Sequence, residues 1–138
     1  MSITGAVSRL QTLADGITEI RFTPATLPDL LPGFPVAVSY IESFEAERVS
    51  YGFSRTLYTI ITEIHVARKD LARDYALLDD LGPTFAQAVL DDITPTAGPL
   101  NGNVSAVLGV NGSLNASSWA GQDTLSWTIK TKVKIGDN

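Results

Sequence analysis

The residues from Arg55 to Ile93 constrain the fold more than any other stretch, because the period of their apolar residues changes once, in the middle. In LYTIITEIHV (57–66), Tyr58, Ile60, Thr62, Ile64 and Val66 share one parity and so project from one face of a strand. The alternation stops at ARKD. From there Leu71, Tyr75, Leu78, Leu81, Phe85, Val89 and Ile93 recur every three or four residues, which is one stripe of a helix, with Asp70 placed to cap it. A period-two face followed by a helical stripe predicts a sheet with helices laid across it. Gly82-Pro83 interrupts the stripe. Proline inside a helix loses a hydrogen bond and clashes with the preceding turn, yet suits the first turn of a new helix. The expectation is one helix near 70–81 and another near 84–93, both on the same sheet.

The flanking segments extend this picture. Ser2 is a suitable N-cap, and Ile3, Val7, Leu10 and Ala14 then share a helical face, so a helix over 3–15 is expected with Gly16 as its C′ residue. ITEIRF (17–22) reads as a short extended piece. Prolines at 24, 28, 32 and 35 forbid a regular helix or a central strand. Leu27, Leu30, Leu31 and Phe34 are interleaved with them and predict an irregular segment pinned to the domain by apolar side chains. VAVSYI (36–41) reads as a strand. ESFEAERVSYGFS (42–54) fits neither period and reads as a long connection between strands, or as a hairpin with extended arms. Its aromatics Phe44, Tyr51 and Phe53 are either core plugs or a partner surface.

In the last third, Asn111-Gly112 is a strong hairpin signal. It divides 103–110 from 113–119, or marks a bulge in one long strand; the hairpin is the preferred reading. In TLSWTIKTKVKI (124–135), Leu125, Trp127, Ile129, Thr131, Val133 and Ile135 share one face, and Ser126, Thr128, Lys130, Lys132 and Lys134 share the other. That pattern belongs to an antiparallel sheet covered on one side. The lysine row is a solvated face that discourages edge aggregation, or a docking surface for an acidic partner. Together the elements predict an α+β fold, a mostly antiparallel sheet with helices on one face, in a single domain over 1–138.

Composition excludes several functions. There are no cysteines, so disulfides, thiolate metal sites and a cysteine nucleophile are ruled out together. Ten Lys+Arg against fifteen Asp+Glu give a net charge of -5, which argues against a dedicated nucleic-acid binder. The N-terminus has neither a basic nor an apolar region of the signal-peptide kind, and no run is long enough to span a membrane.

Catalytic and metal-binding patterns are sparse. The single histidine, His65, has Glu63 two residues away on the strand face opposite the apolar one, which predicts a polar pair on a solvent face. Asp79-Asp80 and Asp91-Asp92 read as the polar face and end of a helix, since adjacent helical residues diverge. Arg68, Lys69 and Arg73 surround a helix N-terminus, a solvated start or an anion site. GVNGS (109–113) does not join a strand to a helix as a phosphate loop does. No catalytic residue, metal ligand or cofactor site is expected, and the chain reads as an interaction protein, not an enzyme.

RTLYTIITEIHVARKDLARDYALLDDLGPTFAQAVLDD (55–92) resembles a pattern in the neck and tail-completion proteins of long-tailed bacteriophages. There an alternating strand ends in a short basic connection and is followed by an amphipathic helix with an LL…L stripe. An N-terminal helix, a Pro-rich segment leading into FPVAVSY and a closing strand pair continue the match. Among these proteins the tail terminator is most similar in size and element order. The Gly82-Pro83 break and the Asn/Ser/Gly-rich stretch at 101–118 depart from it.

The resemblance implies a structural virion protein. It would form a hexameric ring that caps the tail tube, stops its polymerisation and joins the tail to the head-side connector. The implied partners are further copies of itself, the major tail tube protein and the connector, with DNA only as passing cargo. The implied location is the virion neck, and the host cytoplasm during assembly. Another neck component is the alternative within this class. A small-ligand module around His65, Glu63 and Arg68, and nucleic-acid binding through Lys130, Lys132 and Lys134, are the alternatives outside it. The segments least explained by an internal core, 42–54 and 103–118, supply the interface candidates. With the final strand and the residue closing the second segment, these are Phe44, Glu45, Arg48, Tyr51, Phe53, Asn111, Asn115, Trp119, Lys130, Lys132 and Lys134.

Overall fold

In the computed structural model, which describes residues 1–136, the alternation at 57–66 forms the greater part of a 15-residue strand, β2 (Phe53–Ala67). On one side it pairs antiparallel with β1 (Val36–Ser50), on the other with β6 (Gln122–Gly136), which in turn pairs with β5 (Ala106–Trp119). The four-stranded antiparallel sheet thus runs β1-β2-β6-β5. Helices α1 (Ile3–Asp15), α2 (Leu71–Leu78) and α3 (Leu81–Asp91) pack on it, and a two-residue ladder of β3 (Ile93–Thr94) with β4 (Gly98–Pro99) follows them. The fold is α+β, as expected.

The register explains the core. Val66 faces Leu125, Ile64 faces Trp127, Thr62 faces Ile129 and Tyr58 faces Val133, so the apolar parities of β2 and β6 lie on the same side. Against them pack Ala6, Leu10 and Ala14 of α1 with Leu78, Leu81, Phe85 and Val89 of α2 and α3, all fully or almost fully buried. Ser2 caps α1 by accepting the N–H of Gly5, and Asp70 caps α2 by accepting that of Arg73. Arg9 of α1 donates to both carboxylate oxygens of Asp92, at 2.9 and 2.7 Å, tying α1 to the end of α3. This hydrogen bond also holds the Arg9 guanidinium more firmly protonated than usual.

Thr131 is the odd member of this face. It is fully buried opposite Ile60 and Val110, and its hydroxyl has no hydrogen-bond partner among the described residues. A buried polar group without a partner costs about 1–3 kcal/mol. Thr131→Val is therefore expected to stabilise the fold by about 1 kcal/mol, read as a higher denaturation midpoint at unchanged m-value. A lower midpoint would mean the hydroxyl is satisfied.

Several expectations need correction. The helix break falls at Asp79-Asp80, not at Gly82-Pro83, because the proline ring clashes with the carbonyl four residues before it, that of Asp79. Pro83 itself sits inside the first turn of α3, where its missing N–H costs nothing. Leu71 and Tyr75 stay exposed because α2 turns Asp74 and Leu78 inward instead, and Ile93 lies beyond the end of α3. Gly16 ends α1 with φ −73°, a right-handed value, so the C′ geometry is absent. The stretch 17–22 is a turn with a single bridge from Phe22 to Val36.

Of the two readings of residues 42–54, the hairpin with extended arms holds and the open connection does not. β1 continues to Ser50, Tyr51-Gly52 makes the turn, and β2 begins at Phe53. A bulge between Ile41 and Ser43 shifts the parity, so the helix side is Ala37, Ser39 and Ile41 before it and Phe44, Ala46 and Arg48 after it. Asn111-Gly112 makes no turn. It lies inside β5, and the hairpin turns instead at Ala120-Gly121, with φ 49° and 84°, both positive as a type I′ turn requires. The bulge of β5 is at Val107–Gly109, away from Asn111-Gly112.

Candidate functional site

Three helices cover one face of the sheet, and a proline-rich strap covers one end of the other. Leu31 is buried with Val36 and Val38, and Phe22, Phe34 and Trp119 pack around them. The strap is also hydrogen-bonded to the β5–β6 hairpin: Leu31 N–H donates to Gln122 at 2.9 Å, and the Trp119 indole donates to the Pro28 carbonyl at 3.1 Å. Leu27 and Leu30 remain exposed, so only part of the expected apolar set does the pinning.

Beneath the strap lies a polar cluster. His65 is fully buried and not on a solvent face, because the strap and Trp119, edge-on at 5.8 Å, cover the side that the helices leave open. The expected pair does form: His65 Nε2 lies 3.0 Å from Glu63 Oε1, and His65 Nδ1 lies 2.8 Å from Thr124 Oγ1. An ionised carboxylate only accepts, which assigns a proton to Nε2. Thr124 meets Ser117 at 2.9 Å, Ser117 meets Ser126 at 2.8 Å, and Tyr40 donates to the other oxygen of Glu63. Burial alone would push Glu63 up. Hydrogen bonds from His65 and Tyr40, with the attraction of His65, outweigh it and hold the carboxyl below the usual carboxylate range. Burial first, then the bond to Glu63 and the charges of Glu63 and Glu42, raise the Tyr40 phenol.

Hydroxyl, imidazole and carboxylate in a row have the connectivity of a nucleophile, a base and its orienting group. Here, however, Thr124 and His65 are both fully buried. Arg68, grouped with them from the sequence, is exposed beyond the end of β2. The start of α2 is likewise closed to an external anion. Asp74 accepts the N–H groups of Lys69 and Asp70 at 2.8 and 2.9 Å, which hold its carboxyl below the usual range, and Arg73 pairs with it at 3.3 Å. Among the described residues no group of His, Asp or Glu is placed to hold a metal ion, and no helix is long and apolar enough to cross a membrane.

The surface that nothing internal explains is the far half of the β1–β2 hairpin. From Ile41 onward β1 is exposed on both faces except for half-buried Glu47, which pairs with Arg55. Phe44 is 68% exposed, with its ring 6.2 Å from that of Tyr58, and Tyr51 at the tip is 94% exposed. Phe53, Val49, Glu45 and Arg48 are exposed beside them. β1 is also an edge of the sheet, as is β5, and β5 carries no charged residue from Ala106 to Trp119. Uncharged edge strands invite pairing with another chain.

The remaining candidates divide by position. Asn111 and Asn115 are exposed on β5, on the face away from the helices. Lys130 pairs with Glu42 at 3.6 Å, Lys132 is exposed, and Lys134 is half-buried. Trp119 is committed to the strap and to His65, an internal role that its position near a turn did not reveal. Sequence reasoning missed Ile41 and Val49 of the arm and the exposed Leu71 and Tyr75 of α2. No protein-family model and no curated protein significantly matches this chain.

Proposed function

We propose that this chain is a ring-forming structural protein of the tail-terminator kind, which caps a tail tube, stops its growth and joins it to a head-side connector. The observation that carries the reading is the outer half of edge strand β1 with the tip of its hairpin to β2, which is exposed from Ile41 to Ser54 apart from Glu47 and bears Ile41, Phe44, Val49, Tyr51 and Phe53 in the open. Exposed apolar clusters mark contact surfaces. Where such an arm meets a different surface on its neighbour, the contact is heterologous and closes into a ring when the rotation allows. The six-fold count comes from the resemblance alone. The net charge of -5 suits a conduit through which DNA passes without adhering.

The test is to add the purified protein to polymerising tube subunits and to measure tube lengths by electron microscopy. Shortened tubes bearing a ring at one end are expected. Tubes of unchanged length, with binding only to the connector, would move the assignment to another neck component. Binding to neither would sink it.

A further inference from the structure

The helix joint leaves an apolar notch beside Trp127, about 220 Å³ in volume, between the start of α3 and the middle of β5. Its walls are Gly82, Pro83, Ala86, Gly112 and Ile129, with the indole on one side. An apolar cavity of about 150 Å³ holds a benzene ring, so this notch has room for one aromatic side chain. Both glycines let the walls of the notch pack closely on Trp127 and Ile129. A Cβ on Gly82 would lie 2.6 Å from the indole, and one on Gly112 would lie 3.3 Å from Ile129. Gly112 is inside a strand, where glycine weakens the sheet and no turn requires it; such a glycine marks a place where something approaches closely. Asp79 and Asp80, both exposed, stand in the joint just before Gly82.

The arm tip is the complement of this notch. Tyr51 is nearly free of contacts with its own chain, Phe53 is half exposed beside it, and Arg48 is the one charged residue from 48 to 54. An aromatic tip with Arg48 on its stem thus faces the solvent, while an apolar notch opens two residues along the chain from the exposed Asp79 and Asp80. We infer that the tip of one copy docks in the Trp127 notch of the next, with the Tyr51 ring against Pro83 and Gly112 and Arg48 toward Asp79 and Asp80. The occupant, a second copy, rests on the ring reading; the pocket and its chemistry do not.

The absence of cysteine makes the contact directly testable. Ser50→Cys, which leaves the aromatic tip intact, and Ala86→Cys are prepared separately, mixed at a concentration where the protein self-associates, and oxidised. A cross-linked pair containing one of each variant is expected, at least tenfold above a control mixture of Ser50→Cys with Ser8→Cys. Arg48→Glu introduced into the first partner should lower the yield severalfold, and Asp80→Arg in the second should restore it. Multimers without the cross-link would overturn this contact and leave the ring reading standing. A protein that stays monomeric at every concentration would overturn both. Cross-linking of Ala86→Cys only to an added tube subunit would overturn the second copy as occupant.

Discussion

His65→Ala is expected to cost about 3 kcal/mol of stability, among the largest losses available to a single substitution outside the main core. The substitution opens a cavity under the strap and leaves Thr124 and Glu63 each without its histidine partner. Chemical denaturation checks the size of the loss, and a loss below about 1 kcal/mol would mean that water replaces the ring at little cost. The same cluster sets the acid limb of stability. Glu63 has its folded pKa below the unfolded one, so its contribution is present above the ordinary carboxylate range and is lost as pH falls through the folded value. Glu63→Gln should therefore flatten the stability profile on the acid side of about pH 4 while lowering the plateau at neutral pH. An unchanged acid limb would remove Glu63 from the account, leaving Asp74, which is depressed by its backbone hydrogen bonds, as the remaining source.

Trp127→Ala is expected to cost a further 3 kcal/mol or about that in its own right, because one side chain holds the helix joint together. The indole lies over Gly82, and its N–H donates to the Leu78 carbonyl at 2.8 Å, at the end of α2 where the helix breaks. Trp127→Phe keeps much of the packing and loses the hydrogen bond, for about 1 kcal/mol. Gly82→Ala forces a methyl group against a rigid ring and should cost about 1–3 kcal/mol by overpacking. If the clash is the reason, Gly82→Ala becomes nearly neutral in the Trp127→Ala background, and the cycle of four proteins gives a large coupling energy. Additive losses would mean that Gly82 is needed for the backbone of α3 and not for the indole.

The parts of the fold legible in the sequence are those where one face is dry and the other wet. The parities of β2 and β6, the Ser2 and Asp70 caps and the central stripe Leu78–Val89 all follow from that contrast. The arm was not legible for two reasons. The bulge at Ile41–Ser43 reverses the alternation, and beyond it neither face is buried, so no period survives to be read. Asn111-Gly112 misleads because its residues prefer a turn, while the pairing of β5 with β6 carries the strand through it to the better-placed turn at Ala120-Gly121. His65 was placed on a wet face because its cover comes from the strap near Pro28–Leu31 and from Trp119, both remote in sequence. Alternation along one strand tells which residues share a face. It does not tell which distant segment folds over that face.

For the interaction candidates the sequence argument works by elimination, choosing stretches with no internal explanation. Phe44, Tyr51 and Phe53 are indeed uncovered, whereas the indole of Trp119 is spent inside the protein. The notch beside Trp127 had no sequence signal beyond two glycines, since it exists only where the helix joint meets the middle of β5.

Native mass spectrometry of the purified protein over rising concentration separates a ring-forming chain from a monomeric one. The account predicts a closed oligomer, six times the chain mass on the terminator reading, that appears alone or on addition of tube subunits. It also predicts that Tyr51→Ala with Phe53→Ala abolishes this species while the monomer keeps its thermal midpoint. A wild-type chain that stays monomeric at every concentration, with tube and connector proteins present, would contradict it.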